Sequence, residues 1–112
     1  MFSTRQNKVS RLLQREMGDI FQKEALDISN KAILTVTKVR VTPDLKMAKF
    51  YMSIFPSHFG DETIKHINTI KSQIRFILGK RIRHQVKEIP EIEFIIDDSL
   101  DYIENIERLL KK

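Results

Sequence analysis

The chain has no cysteine among its 112 residues. That excludes a disulfide framework and any thiolate metal site, and it is compatible with a reducing cytosol. Three glycines and three prolines are too few for long disordered segments. No apolar run approaches the length of a membrane span, and Met1 to Arg11 lacks the apolar core of a signal peptide. Catalytic signatures are missing too: there is no P-loop, no G-x-G-x-x-G, no H-E-x-x-H and no nucleophile-elbow serine. His58, His66 and His84 are scattered, without an evident carboxylate to orient them. Internal repeats and low-complexity tracts are absent. The length predicts one domain over residues 1–112, expected to be a monomer, and these absences predict that it is cytoplasmic and works without enzymatic activity, cofactor or metal.

What is present is positive charge, unevenly placed. The formal charge is +5 and the pI about 9.6. From Met1 to Lys87 there are 17 Lys plus Arg against 7 Asp plus Glu, or +10; from Glu88 to Lys112 there are 3 against 8, or −5. An ordinary solvated surface mixes signs, whereas Lys71 to Lys87 carries Lys71, Arg75, Lys80, Arg81, Arg83 and Lys87 with no carboxylate among them. Such a segment suits a polyanion.

The periodicities place these charges on elements. Val9, Leu12, Leu13, Met17, Ile20 and Phe21 recur at helical spacing across Asn7 to Phe21, leaving Arg5, Lys8, Arg11 and Arg15 off the apolar stripe. Ser3 or Thr4 can cap this helix. Arg5 and Lys8 occupy first turns where the helix dipole prefers acids, a small local cost that favours a use for the charges. Between Ala32 and Phe55 two β-rich runs flank Thr42-Pro43-Asp44-Leu45, whose proline suits position i+1 of a type I turn. In the second run Ala48, Phe50, Met52 and Ile54 alternate with Lys49, Tyr51, Ser53 and Phe55, so one hairpin face is buried.

Asp61 to about Gln85 reads as a second helical region with Ile64, Ile67, Ile70, Ile74, Ile77 and Leu78 on one face. A wheel carried straight through Gly79 turns Arg81 onto that apolar face, so a bend, shift or end is expected near Gly79. Phe76 falls on the polar side beside Lys80 and Arg83; it is either a stray exposed phenylalanine or a platform for a base. Pro90 then opens a strand in which Ile92, Phe94 and Ile96 alternate with Glu91, Glu93 and Ile95. Asp97-Asp98-Ser99 stops the strand and caps a last helix presenting Leu100, Ile103, Ile106, Leu109 and Leu110; capping explains these acids better than metal or acid-base chemistry. The expected fold is α+β, with a three-stranded sheet over about Lys31 to Val41, Lys46 to Phe55 and Glu91 to Asp97, packed by helices on one face.

The order helix, strand, strand, helix, helix, strand resembles a type II KH domain, with the C-terminal helix added. The particular segments resemble the ribosome-binding factor A family. They are Val9-Ser10-Arg11-Leu12-Leu13, then Leu34 to Leu45 with its Pro43-Asp44 turn, Ala48 to Ser53, Ile74-Arg75, Leu78-Gly79-Lys80-Arg81-Ile82-Arg83, Pro90 to Phe94 and Asp97-Asp98-Ser99. Together they span nearly the whole chain. The resemblance implies a factor that binds the immature small (30S) ribosomal subunit and its 16S rRNA, assists late maturation and rRNA processing, and matters for growth in the cold. It also implies other assembly factors, including a GTPase, as partners. Where the family has an Ala-x-Gly kink between helices, this chain reads Ile70-Lys71-Ser72, and a milder kink is expected there.

The residues and the resemblance converge on RNA. Lys71, Arg75, Lys80, Arg81 and Arg83 form the main expected RNA-facing set, Arg5, Lys8, Arg11 and Arg15 a second, and Lys38 and Arg40 a third. Two other readings stand beside this one: an adaptor that uses the acidic C-terminal part without touching RNA, and a free-standing KH-like module acting on other RNAs.

Overall fold

A computed structural model describes residues 3–23 and 33–97. Helix α1 runs over Thr4–Lys23 and starts with a reciprocal cap. The Ser3 hydroxyl accepts the Gln6 amide N–H at 3.1 Å, and the Gln6 side-chain oxygen accepts the Ser3 N–H at 2.9 Å. This S-x-x-Q box satisfies two backbone donors that would otherwise lack partners. Gln6 is itself buried, because its side-chain N–H also donates to the Val41 carbonyl at 2.9 Å. One side chain therefore caps the helix and ties it to the end of the first strand. Behind it Leu13, Met17 and Ile20 are fully buried, with Val9, Leu12 and Phe21 packed at their margin.

Strands β1 (Ile33–Val41) and β2 (Met47–Phe55) form the expected antiparallel hairpin. At its tip the Leu45 N–H donates to the Thr42 carbonyl at 2.8 Å, closing the turn around Pro43 and Asp44. An Asp44 carboxylate oxygen accepts from the Thr42 hydroxyl at 2.7 Å and from the Lys46 N–H at 3.1 Å. Those bonds, the hydroxyl foremost, hold the Asp44 carboxyl below its ordinary range. Leu45 takes a left-handed φ of 62°, a strained choice for a branched side chain. Packing of its half-buried side chain against the core offsets that strain.

The register slips between Val36 and Lys38, so Thr37 is the extra residue of a β-bulge. Its hydroxyl donates to an Asp97 carboxylate oxygen, and Gln14 of α1 donates to the Val36 and Thr37 carbonyls at 3.2 Å each. The bulge keeps Val36 on the buried side with Val39 and Val41 despite their uneven spacing.

After a short 3-10 turn, α2 spans Gly60–Thr69 and α3 spans Lys71–Ile82. The break lies at Ile70, where φ −107° and ψ 15° leave the helical region. The expected bend, shift or end near Gly79 is not at the glycine itself: α3 runs through Gly79 unbroken and ends three residues on, at Ile82. Ile74, Leu78 and Ile82 bury together, and Arg81 stays on their side of the helix, as the straight wheel requires, where ion pairing to Asp19 of α1 makes the position tolerable. A Cβ on Gly79 would meet Ile89 Cγ1 at 3.5 Å, an ordinary contact. Gly79→Ala is accordingly expected to stabilise the protein by about 0.5–1 kcal/mol, read as a higher urea midpoint at constant m. A bend at Gly79 would reverse the sign.

The two helices carry the chain over the sheet to β3 (Glu91–Ile96), which pairs parallel to β2 and completes a sheet of order β1-β2-β3. Ile92 and Phe94 of β3, Ala48, Phe50, Met52 and Ile54 of β2 and the three valines of β1 share the buried face with the helices. Phe94 meets Phe50 at 5.4 Å and Phe21 of α1 edge-on at 5.9 Å. Strand bounds fall within two residues of expectation. The expected helix from Leu100 to Leu110 lies outside the described residues, as do Lys31, Asp98 and Ser99. No described helix is long and apolar enough to cross a membrane.

Candidate nucleic-acid interface

Packing α1 on the sheet by its apolar stripe leaves Arg5, Lys8, Arg11 and Arg15 exposed. They line a cleft. Its first part, about 350 Å³, lies between Lys8, Arg11 and Arg15 of α1 and Gln85 and Val86 of the turn after α3. A second part of about 150 Å³ shares Val9, Gln85 and Val86 and continues to Arg5, the hairpin tip at Asp44 and Leu45, and Lys87. The end of the Lys71 to Lys87 segment thus meets the cations of α1. Glu88 and Asp44 are the carboxylates on the cleft wall. A broader groove of about 700 Å³ lies between α1 and β1; Arg11 and Arg15 line it too, so they stand on the ridge between grooves. Its other lining includes Glu16 and Asp19, a mixed wall less suited to phosphate.

A second cationic feature lies at the break between α2 and α3. The expected milder kink is a full interruption, and α3 restarts with no side-chain cap and no acid in its first turn. Exposed Lys71 stands at this positive helix end, a favourable place for an anion. Further along, Ser72, Gln73, Phe76, Lys80 and Arg83 are exposed on α3 or just after it.

Two members of the main expected set are held inward. Arg75 spreads its guanidinium over the entry to β3, donating to the Pro90 carbonyl at 2.9 Å and the Ile89 carbonyl at 2.8 Å. It also lies 3.7 Å from Glu91, and its side chain is 38% exposed. Arg81, 22% exposed, donates to Asp19 of α1 at 2.6 Å and lies 4.0 Å from Glu16. These residues fasten α3 to β3 and α1 to α3, so their visible work is to shape the cleft. Lys38 and Arg40 sit on the sheet face away from the helices, as the registers Lys38↔Tyr51 and Arg40↔Lys49 require. Lys38 Nζ lies 4.8 Å from the Tyr51 ring centroid.

Gln85, Val86 and Lys87 entered no expected site set, because residues in a turn are brought to α1 by tertiary packing that leaves no periodic signal. The only available signal was the continuation of carboxylate-free sequence to Lys87.

The Arg81 guanidinium first, and the Lys23 ammonium at 3.1 Å second, hold the Asp19 carboxyl below its usual range. Asp19 ionises more readily in the folded than in the unfolded chain. Its contribution is therefore complete above the ordinary value near 3.8 and is lost as pH falls through the lower folded value. Asp19→Asn is expected to lower the urea midpoint at pH 7 and to approach wild type towards pH 2. A deficit that stays constant with pH would rule out the charge as its source.

Among the described residues no group of three or more His, Asp or Glu side chains stands together as a metal site. His58 stacks on Phe59 at 4.2 Å, and His84 accepts from Arg83 at 3.3 Å.

An α+β fold in which an antiparallel hairpin is followed by two successive helices and a third strand parallel to the second defines a KH-like protein. Comparison with known proteins makes this specific. The family profile described as Ribosome-binding factor A matches residues 5–110. Ribosome-binding factor A of Christiangramia forsetii is 46% identical over 110 residues, covering 97% of this chain and 84% of that one. The Cytophaga hutchinsonii protein of the same name is 42% identical over 112 residues, covering 100% and 84%. The chain belongs to the ribosome-binding factor A family. Its fold is similar to the crystal structure of ribosome-binding factor A from Thermus thermophilus, with TM-score 0.66, 19% identity and coverage of 81% and 94%. It is also similar to a homology model of the Thermus thermophilus factor fitted into a cryo-EM map of a 30S complex, with TM-score 0.62, 20% identity and coverage of 80% and 91%.

Proposed function

We propose that this chain is a cytoplasmic maturation factor that binds the small ribosomal subunit through 16S rRNA and acts by occupancy rather than by catalysis, its 112 residues serving as one domain. The observation that carries this reading is the convergence of Arg5, Lys8, Arg11 and Arg15 with the turn at Gln85 to Lys87 on one cleft. Family membership and the 30S complex of the Thermus thermophilus relative support the choice of partner. Phosphate contacts supply affinity, and the folded shape of the rRNA supplies selectivity. Lys71, Lys80, Arg83 and Lys87 extend the cationic surface; Arg75 and Arg81 hold it in shape; Lys38 and Arg40 contribute from the open sheet face. The test is crosslinking in cells followed by sequencing of the attached RNA, beside sedimentation of the tagged protein. Precursor small-subunit RNA and co-migration with 30S particles are expected. Crosslinks dispersed over messenger RNA would replace this reading with a generic KH-like module, and sedimentation with 30S particles without RNA crosslinks would replace it with the adaptor.

A further inference from the structure

We propose that Phe76 is a stacking platform for an unpaired RNA base, an inference that rests on the RNA-binding reading and specifies what its substrate must contain. α3 sends Ile74, Leu78 and Ile82 into the core, which turns Phe76 outward and leaves it 64% exposed. A single exposed phenylalanine is commonplace on protein surfaces. This one differs in its surroundings. Lys80, one turn on, places its ammonium 4.7 Å from the ring centroid, and Arg83 follows one further turn along on the same side. From Lys71 to Lys87 there is no carboxylate.

An aromatic ring has two faces, and the ammonium takes one of them. The other can receive a base while Lys80 and Arg83 meet the phosphates of that nucleotide and its neighbour. Every base has a π-face, so the contact tolerates sequence, but it needs a base released from its helix. The ligand is thus a single-stranded or bulged ribonucleotide segment, not a continuous duplex.

The full-length chain and its Phe76→Leu and Phe76→Trp variants distinguish the outcomes. Leucine keeps helix and apolar bulk but removes the π-face; tryptophan keeps the π-face. The probes are a ten-nucleotide oligouridylate and a ten-base-pair RNA duplex. Phe76→Leu is expected to weaken oligouridylate binding about tenfold, with duplex affinity and the slope of log K against log salt unchanged. Phe76→Trp should bind oligouridylate at least as well as the wild type. Lys80→Gln, by contrast, should flatten the salt slope by about 0.7. Equal affinity of Phe76→Leu and wild type for oligouridylate overturns the proposal while leaving RNA binding intact. If the wild type binds neither probe, direct RNA contact fails and the stacking proposal falls with it. If Phe76→Leu keeps RNA affinity but loses sedimentation with 30S particles, the ring meets protein and the proposal is wrong.

Discussion

Replacement of Arg5, Lys8, Arg11 and Arg15 together by glutamine will weaken RNA binding about 10³-fold at 0.1 M monovalent salt and flatten the salt slope by about 3 units. The magnitude follows from counterion release, at about 0.7–0.9 in the slope for each phosphate contact removed. The same substitutions should leave folding intact. All four side chains are exposed, glutamine is a good helix former, and α1 has no acid in its first turn to compensate Arg5 and Lys8. Removing Arg5 from the first turn at the positive end of the helix favours the fold by about 0.3–1 kcal/mol, and removing Lys8, past that turn, by less. Opposite signs for stability and binding separate a contact surface from a structural one. Measurements are urea midpoints and fluorescence anisotropy titrations over a salt series. A well-folded quadruple variant with wild-type affinity and slope would move the interface away from α1.

The fold was legible where burial imposes a period. Ala48, Phe50, Met52 and Ile54 alternate because the central strand has one covered face, and Leu13, Met17 and Ile20 recur because a helix must present one stripe to it. The Thr42 to Leu45 turn was legible from local chemistry alone, since Pro43 and Asp44 carry their preferences with them. Gly79 misled for an instructive reason. Its cost in a helix is real, but small beside the burial of Ile74, Leu78 and Ile82 that a continuous α3 allows. The interruption fell at Ile70, where only the family resemblance placed a kink, because neither glycine nor proline marks the position.

The candidate site was legible as charge but not as geometry. The cations of α1 stood out because the stripe beside them was clear. Arg75 and Arg81 belong to the same carboxylate-free segment as Lys80 and Arg83, yet their partners are the Ile89 and Pro90 carbonyls and Asp19, the last of these 62 residues away in sequence. Spacing puts Arg81 on the apolar side of the wheel, but it names neither the carboxylate that Arg81 reaches nor the carbonyls that hold Arg75. Gln6 shows the converse. A polar residue in the first turn looks like surface, and only the nearby Val41 carbonyl explains its burial.

Phe50→Ala will destabilise the protein by about 3–5 kcal/mol, a large part of the roughly 5–15 kcal/mol typical of a domain. Phe50 is fully buried on the middle strand, registered between Val39 of β1 and Phe94 of β3. Its ring lies 5.4 Å from that of Phe94, which in turn meets Phe21 of α1. β2, β3 and α1 thus share one aromatic contact chain, and truncating its β2 end in the middle of the sheet leaves a void that the neighbours only partly fill. The urea midpoint should fall at nearly constant m, whereas Phe50→Leu should lose much less. Binding separates this variant from the α1 quadruple variant. The phosphate contacts are intact in whatever fraction is folded, so RNA affinity should drop only in proportion to unfolding while the salt slope of the folded fraction stays at the wild-type value. A flattened slope in Phe50→Ala at a temperature where it remains folded would show that the cleft depends on core packing for its contacts, not only for its existence.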